Sequence, residues 1–235
     1  TQYITNMSSM FSYTNTFNQD ISGWNVSGVT NINSMFNNAA LFNQPIGSWD
    51  VSNVQNFFQM FYLATQFNQD LGSWDVSKAI NLSGMFQTAG NFNNSGSTSI
   101  SGWTTSACTN MSNMFSAANS FNQDLGAWDV SNVTNFYRMF YNMDSFNNGG
   151  SPSISGWTIN TSNPSGVDMS GMFQTCDIFN QDLSAWDVSN VTNMSGMFNN
   201  ADLFNYPIGV WNVSGVTDMS FMFNKAFDFN QDIGN

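Results

Sequence analysis

The sequence predicts a repeat solenoid of about nine turns of roughly 25 residues, each a short strand plus a short helix or helical turn, stacked into a parallel sheet. Three observations predict it. A Met-Phe pair, with Phe-Asn six residues after its Phe, begins at Met10, Met35, Met60, Met85, Met114, Met139, Met172, Met197 and Met222. Successive pairs lie 25 residues apart, except for one step of 29 and one of 33. One Trp falls in each interval: Trp24, Trp49, Trp74, Trp103, Trp128, Trp157, Trp186 and Trp211, which are all 8 in the chain. A fixed period of this size means stacked supersecondary units, none of which buries its apolar face alone. The 235 residues therefore read as one repeat domain, 1–235.

Positions within a turn are numbered here as phases, with the Met of Met-Phe at phase 1. In the turn that begins at Met197 the apolar residues are Met197, Phe198, Ala201, Phe204, Ile208, Trp211, Val213, Val216 and Met219. From phase 23 through phase 8 of the next turn, as in Met194, Met197, Phe198, Ala201 and Phe204, the apolar spacing is that of one helical face. Asn or Asp precedes it, as at Asp168, Asn193 and Asp218, and suits a helix N-cap. Leu183, Trp186 and Val188, at phases 12 to 17, predict a short extended segment. Ser-Asn or Ser-Gly followed by Val suits a corner. Strands stacked at these phases would lie about 4.8 Å apart, with the helices as the opposite wall. This is a leucine-rich-repeat-like, right-handed plan. A pure β-solenoid is the competing architecture, and the Met-Phe run counts against it.

Asn follows the second Phe in every turn, at Asn18, Asn43, Asn68, Asn93, Asn122, Asn147, Asn180, Asn205 and Asn230. A side-chain amide both donates and accepts, so a column of them predicts a structural ladder at a tight bend, beside the Trp column. Cys108 stands where other turns have Val, and Cys176 where they often have Ala, so both are expected as buried small hydrophobes.

Composition narrows function more than it names it. With 15 acidic and 3 basic residues the net charge is −12, which repels phosphate backbones and makes nucleic acid and anionic membrane poor partners. No apolar run is long enough to span a membrane. The 16% aromatic content argues for a packed core in spite of the abundant Asn, Ser and Gly.

The stretch Phe-Asn-Gln-Asp-Leu-Gly-Ala-Trp-Asp-Val-Ser-Asn-Val-Thr-Asn, from Phe121 to Asn135, and its near-copy from Phe179 to Met197 resemble a known repeat. It is similar to that of the BspA-like leucine-rich-repeat surface proteins. More narrowly, it resembles the repeat of unknown function in mycoplasma surface lipoproteins. The resemblance covers essentially the whole chain. It implies an extracellular or cell-surface protein with a structural or adhesive role, and it brings no catalytic residues with it.

The residues agree with a non-enzymatic reading. The chain has no His, which removes the usual acid–base residue and the Ser-His nucleophile pair. A carbohydrate-active enzyme built on paired carboxylates is the remote third alternative. Phase 11 carries Asp in every odd turn, at Asp20, Asp70, Asp124, Asp182 and Asp232, and in no even turn. Alternation doubles the separation of like charges. A sharper reading makes these Asp calcium ligands together with nearby Gln or backbone oxygens; no other cofactor is implied. A second acidic phase follows the Trp, at Asp50, Asp75, Asp129 and Asp187.

Four extra residues follow Phe92 and Phe146, and four more lie between Trp157 and Met172. Such insertions map to one side of a solenoid and are either bulges or a first place to look for a protein or glycan partner. The repeat also generates Asn-x-Ser/Thr sequons, among them Asn25, Asn81 and Asn132. Thr1 falls at phase 17 and Asn235 at phase 14, both inside a turn and without a polar cap. Two readings follow: an excerpt of a longer array, or a subunit that self-associates through its solenoid ends into a filament. The odd-type turns of Asp232 and Asp20 would then meet, which counts against the filament.

Overall fold

The computed structural model describes residues 4–234, so the expectations placed on Thr1 and Asn235 lie outside the described residues. The repeats stack in register. Asn6, Asn31, Asn56, Asn81, Asn110, Asn135, Asp168, Asn193 and Asp218, all at phase 22, join in a parallel series of bridges. Only β1 (Val167–Asp168) and β2 (Val191–Asn193) lengthen into a two-stranded parallel sheet.

The regular strand-and-helix solenoid turn expected from the sequence is not what forms. Among the described residues the only helices are four short 3-10 segments, Asn94–Gly96, Thr98–Gly102, Asn148–Gly150 and Pro152–Gly156. The Met-Phe run is instead a chain of overlapping turns. In the second repeat the N–H groups of Met35, Asn37 and Ala39 donate back three residues, to Ile32, Ser34 and Phe36. Those of Ile32, Ser34, Phe36 and Asn38 donate to the next repeat, at Asn56, Phe58, Met60 and Tyr62. An α-helix would send each N–H to the carbonyl four residues back within its own segment. Here every second N–H points along the stack.

That alternation requires left-handed backbone at two places per repeat. Phases 25 and 4 have φ between +50° and +61° throughout, as in Ser34 and Asn38, or Gln59 and Leu63. Positive φ at the third residue of a turn is the type II requirement. Each such non-glycine residue costs about 1–2 kcal/mol, and only Gly84, Gly171 and Gly196 relieve it with glycine. The inter-repeat hydrogen bonds, each worth about 0.5–1.5 kcal/mol net, offset the cost. The helical reading failed because a turn run and a helix bring the same apolar residues to one side.

The segment read as a strand is corrected too. Leu183, Trp186 and Val188 form tight turns: Trp186 N–H donates to Leu183 O at 3.0 Å, and Val191 N–H to Val188 O at 2.9 Å. Parallel pairing lies at phase 22, beyond the Trp turn. The Asn or Asp there does accept from the N–H two residues on, as Asn31 Oδ1 does from Asn33 at 3.1 Å and Asp168 Oδ1 from Ser170 at 2.9 Å. The capping chemistry is real, but it opens a turn run.

The core is aromatic. Phe at phases 2 and 8 pairs within each repeat, as Phe61 with Phe67 at 3.9 Å between ring centroids. Each also stacks on its equivalents, Phe61 lying 5.7 Å from Phe36 and 5.6 Å from Phe86. Met, Ala and Val at the other apolar phases complete a continuous core. Cys108 and Cys176 are free and buried; burial pushes the Cys108 thiol up to about 11 and raises that of Cys176 as well. No helix among the described residues is long and apolar enough to cross a membrane.

Candidate binding face

The phase-9 Asn column forms a continuous series of hydrogen bonds. Asn43, Asn68, Asn93, Asn122, Asn147, Asn180, Asn205 and Asn230 each donate a backbone N–H to Oδ1 of the Asn one repeat earlier, beginning at Asn18, over 2.9–3.2 Å. Gln44, Gln69, Gln123, Gln181 and Gln231 add a side-chain donor to the same oxygens. The tryptophans do the same for a second column. Nε1 of Trp49, Trp74, Trp103, Trp128, Trp157, Trp186 and Trp211 donates to the phase-12 carbonyl of the preceding repeat, over 2.9–3.2 Å. Trp24 packs at the edge of the core against Phe11. Both columns are consumed by stacking.

The phase-11 carboxylates are held by their own turns. Asp20 accepts from Ser22 N–H at 2.9 Å, Asp182 from Ser184 at 2.9 Å and Asp232 from Gly234 at 2.9 Å. Asp70 and Asp124 carry more. Oδ1 of Asp70 accepts from Gly72 N–H, Ser99 Oγ and Asn94 Nδ2, and Asp124 Oδ1 likewise from Gly126, Ser153 and Asn148. The Ser99 and Gly72 bonds hold Asp70 below the usual carboxylate range. For Asp124 burial pulls upward, but the Ser153 and Gly126 bonds outweigh it. Asp50, Asp75, Asp129 and Asp187 are lowered by bonds from the Ser two residues on. Among the described residues no three His, Cys, Asp or Glu side chains gather where they could hold a metal ion.

The insertions thus have an internal task. Asn94 and Asn148 are fully buried, bond Leu71 N–H and Leu125 N–H, and lock onto the Asp of the repeat before. The third insertion is closed by Asn160 and Asn163, whose carbonyls accept from Asn190 Nδ2.

The position that varies lies on the outer side of the turn run, at phases 24, 25 and 3. The third repeat presents Phe58, Gln59 and Tyr62 there, and the sixth Tyr137, Arg138 and Tyr141. Small residues lie between. The Gln59 side chain crosses Gly84, whose missing Cβ would sit 3.0 Å from Gln59 Cγ, and Arg138 crosses Gly171 in the same way. Gly196, one repeat further, has only ordinary van der Waals neighbours. Beyond it stands Phe221, 70% exposed. The result is a polar notch of about 320 Å³ lined by Tyr137, Arg138, Gln174, Ser195, Asn199 and Phe221, among others, and by no carboxylate.

Arg138 is the only arginine of the chain. Its guanidinium lies 5.1 Å from the Tyr137 ring centroid and 4.6 Å from that of Tyr141, within cation–π range. Its Nε is shielded from solvent and meets no acceptor. A shielded donor without a partner costs about 1–3 kcal/mol. None of this is visible in the repeat phases singled out by periodicity. The signal lay in the columns that break the repeat: glycine at phase 25 after a long side chain, and Tyr-Arg-x-x-Tyr in one turn alone.

The fold and this face define a class: a stacked-repeat protein whose core phases are fixed and whose outer columns differ from repeat to repeat. The chain belongs to the family described as Mycoplasma protein of unknown function, DUF285, whose model matches residues 1–99, 97–165 and 153–235. The match supports the narrower of the two resemblances, that to the mycoplasma repeat. No curated protein matches the chain.

Proposed function

We propose that this chain is a non-enzymatic, extracellular or cell-surface repeat protein that adheres to a partner through the outer side of its turn run. The observation that carries the reading is the notch between Arg138 and Phe221, where aromatic, amide, hydroxyl and cationic side chains line one cavity and no carboxylate does. Conserving the stack while varying the outer columns is how repeat arrays build extended binding surfaces. The columns of repeating Asn, Trp and Asp are occupied by hydrogen bonds within the stack, which supports binding over catalysis. The resemblance to BspA-like surface proteins supports the same role.

The test is attachment of the purified chain to cultured host cells and to an immobilised glycan panel. Saturable binding lost in Tyr137→Ser/Tyr141→Ser, with melting unchanged, is expected. Binding absent from every surface, or indifferent to that pair, would overturn the reading.

A further inference from the structure

We infer that the notch over Gly196 takes a saccharide bearing a carboxylate, with Arg138 as its anionic-group partner; this rests on the adhesive reading above. Charge comes first. A chain of net charge −12 places its single Arg in a cavity that no carboxylate lines. An Arg fork matches a planar carboxylate through two parallel hydrogen bonds. The chain supplies no such group here, so the complement comes from outside.

The rest of the lining selects a sugar. Gln174 offers an amide that donates and accepts, Asn199 an Nδ2 donor beside an Oδ1 that accepts from Asn224 at 3.2 Å, and Ser195 a hydroxyl, which is the mixed bonding that ring hydroxyls require. Tyr137 and Phe221 add aromatic rings to the lining, a residue type suited to the apolar C–H faces of pyranose rings. A volume of about 320 Å³ falls at the lower end of small-ligand sites, about 300–1,000 Å³.

The test is calorimetric binding of a short uronate oligosaccharide, of its carboxyl-reduced neutral counterpart, and of an acidic peptide. Two variants report on the site, and the repeat supplies precedent for both. Arg138→Gln places at phase 25 the residue that Gln59 already is, and Gly196→Gln fills the notch with the same side chain at the same φ sign. The uronate is expected to bind the wild type at least tenfold more tightly than the reduced form. Arg138→Gln should abolish that preference, and Gly196→Gln should abolish binding of both, with melting temperatures preserved.

Equal binding of the acidic and reduced probes overturns the inference, as does a preference that survives Arg138→Gln. Tighter binding of the acidic peptide overturns the saccharide class. If the uronate does not bind but cell attachment persists and is lost in the Tyr137/Tyr141 pair variant, the inference fails and the adhesive reading stands. If neither occurs, both fail.

Discussion

At Asp177, burial and the neighbouring carboxylates Asp144 and Asp202 push the carboxyl above its ordinary range, and its Oδ1 is shielded without a partner. A pKa raised in the folded state means that the folded chain holds the proton more tightly than the unfolded one. Stability from this group is therefore present in acid and lost as pH rises through the folded pKa. Asn15 and Asn119 occupy the same phase in other repeats. Asp177→Asn is thus expected to raise the melting temperature near neutral pH and to leave it unchanged in acid. The carboxyl is only partly buried, so the gain is at most about 1 kcal/mol. An equal gain at both pH values would refute the like-charge account. The phase-11 and phase-16 carboxylates with lowered pKa, Asp70 and Asp75 among them, have the opposite sign: their contribution falls away as pH drops through the folded values.

At the scale of the element, the inserted 3-10 segments explain a choice that periodicity leaves open. Phase 13 is Ser in the first and seventh repeats, at Ser22 and Ser184, but Gly at Gly72 and Gly126. A Cβ on Gly72 would overlap the Ser99 side chain, and one on Gly126 that of Ser153, both belonging to the insertion stacked above. Gly72→Ser should therefore cost about 1–3 kcal/mol by overpacking, whereas Ser184→Gly, with no insertion above it, should change little. Chemical denaturation of the two variants checks this. The same stacking accounts for the odd–even pattern of Asp in the middle of the chain: Asp70 and Asp124 anchor the insertions of the even repeats through Ser99 and Ser153.

Across the whole molecule, stability runs along columns. Successive repeats touch through backbone hydrogen bonds, an Asn bond, two stacked Phe rings and, in all but the last pair, a Trp bond. A defect in the middle therefore cuts both sides of a column. Phe61→Ala, between Phe36 and Phe86, is expected to cost about 3–5 kcal/mol. Because nearest-neighbour terms hold a repeat array together, its thermal transition should broaden or split. A single sharp transition shifted by less than about 1 kcal/mol would show that the columns are not what holds the stack.

The sequence alone determined the period, the register and the membership of the core, because each depends only on which residues recur at a fixed spacing. Met35, Phe36, Phe42 and Trp49 are buried as their recurrence requires. It also placed the Asn column, since an amide repeated at a bend has few other uses. The backbone within a repeat was decided by tertiary structure. The N–H of Phe36 can close a helix or reach Met60, and only the presence of the next repeat makes the second choice favourable. The notch is likewise a tertiary product. Tyr137, Arg138, Gly196 and Phe221 span four repeats, and only stacking brings side chains so far apart in sequence to the rim of one cavity.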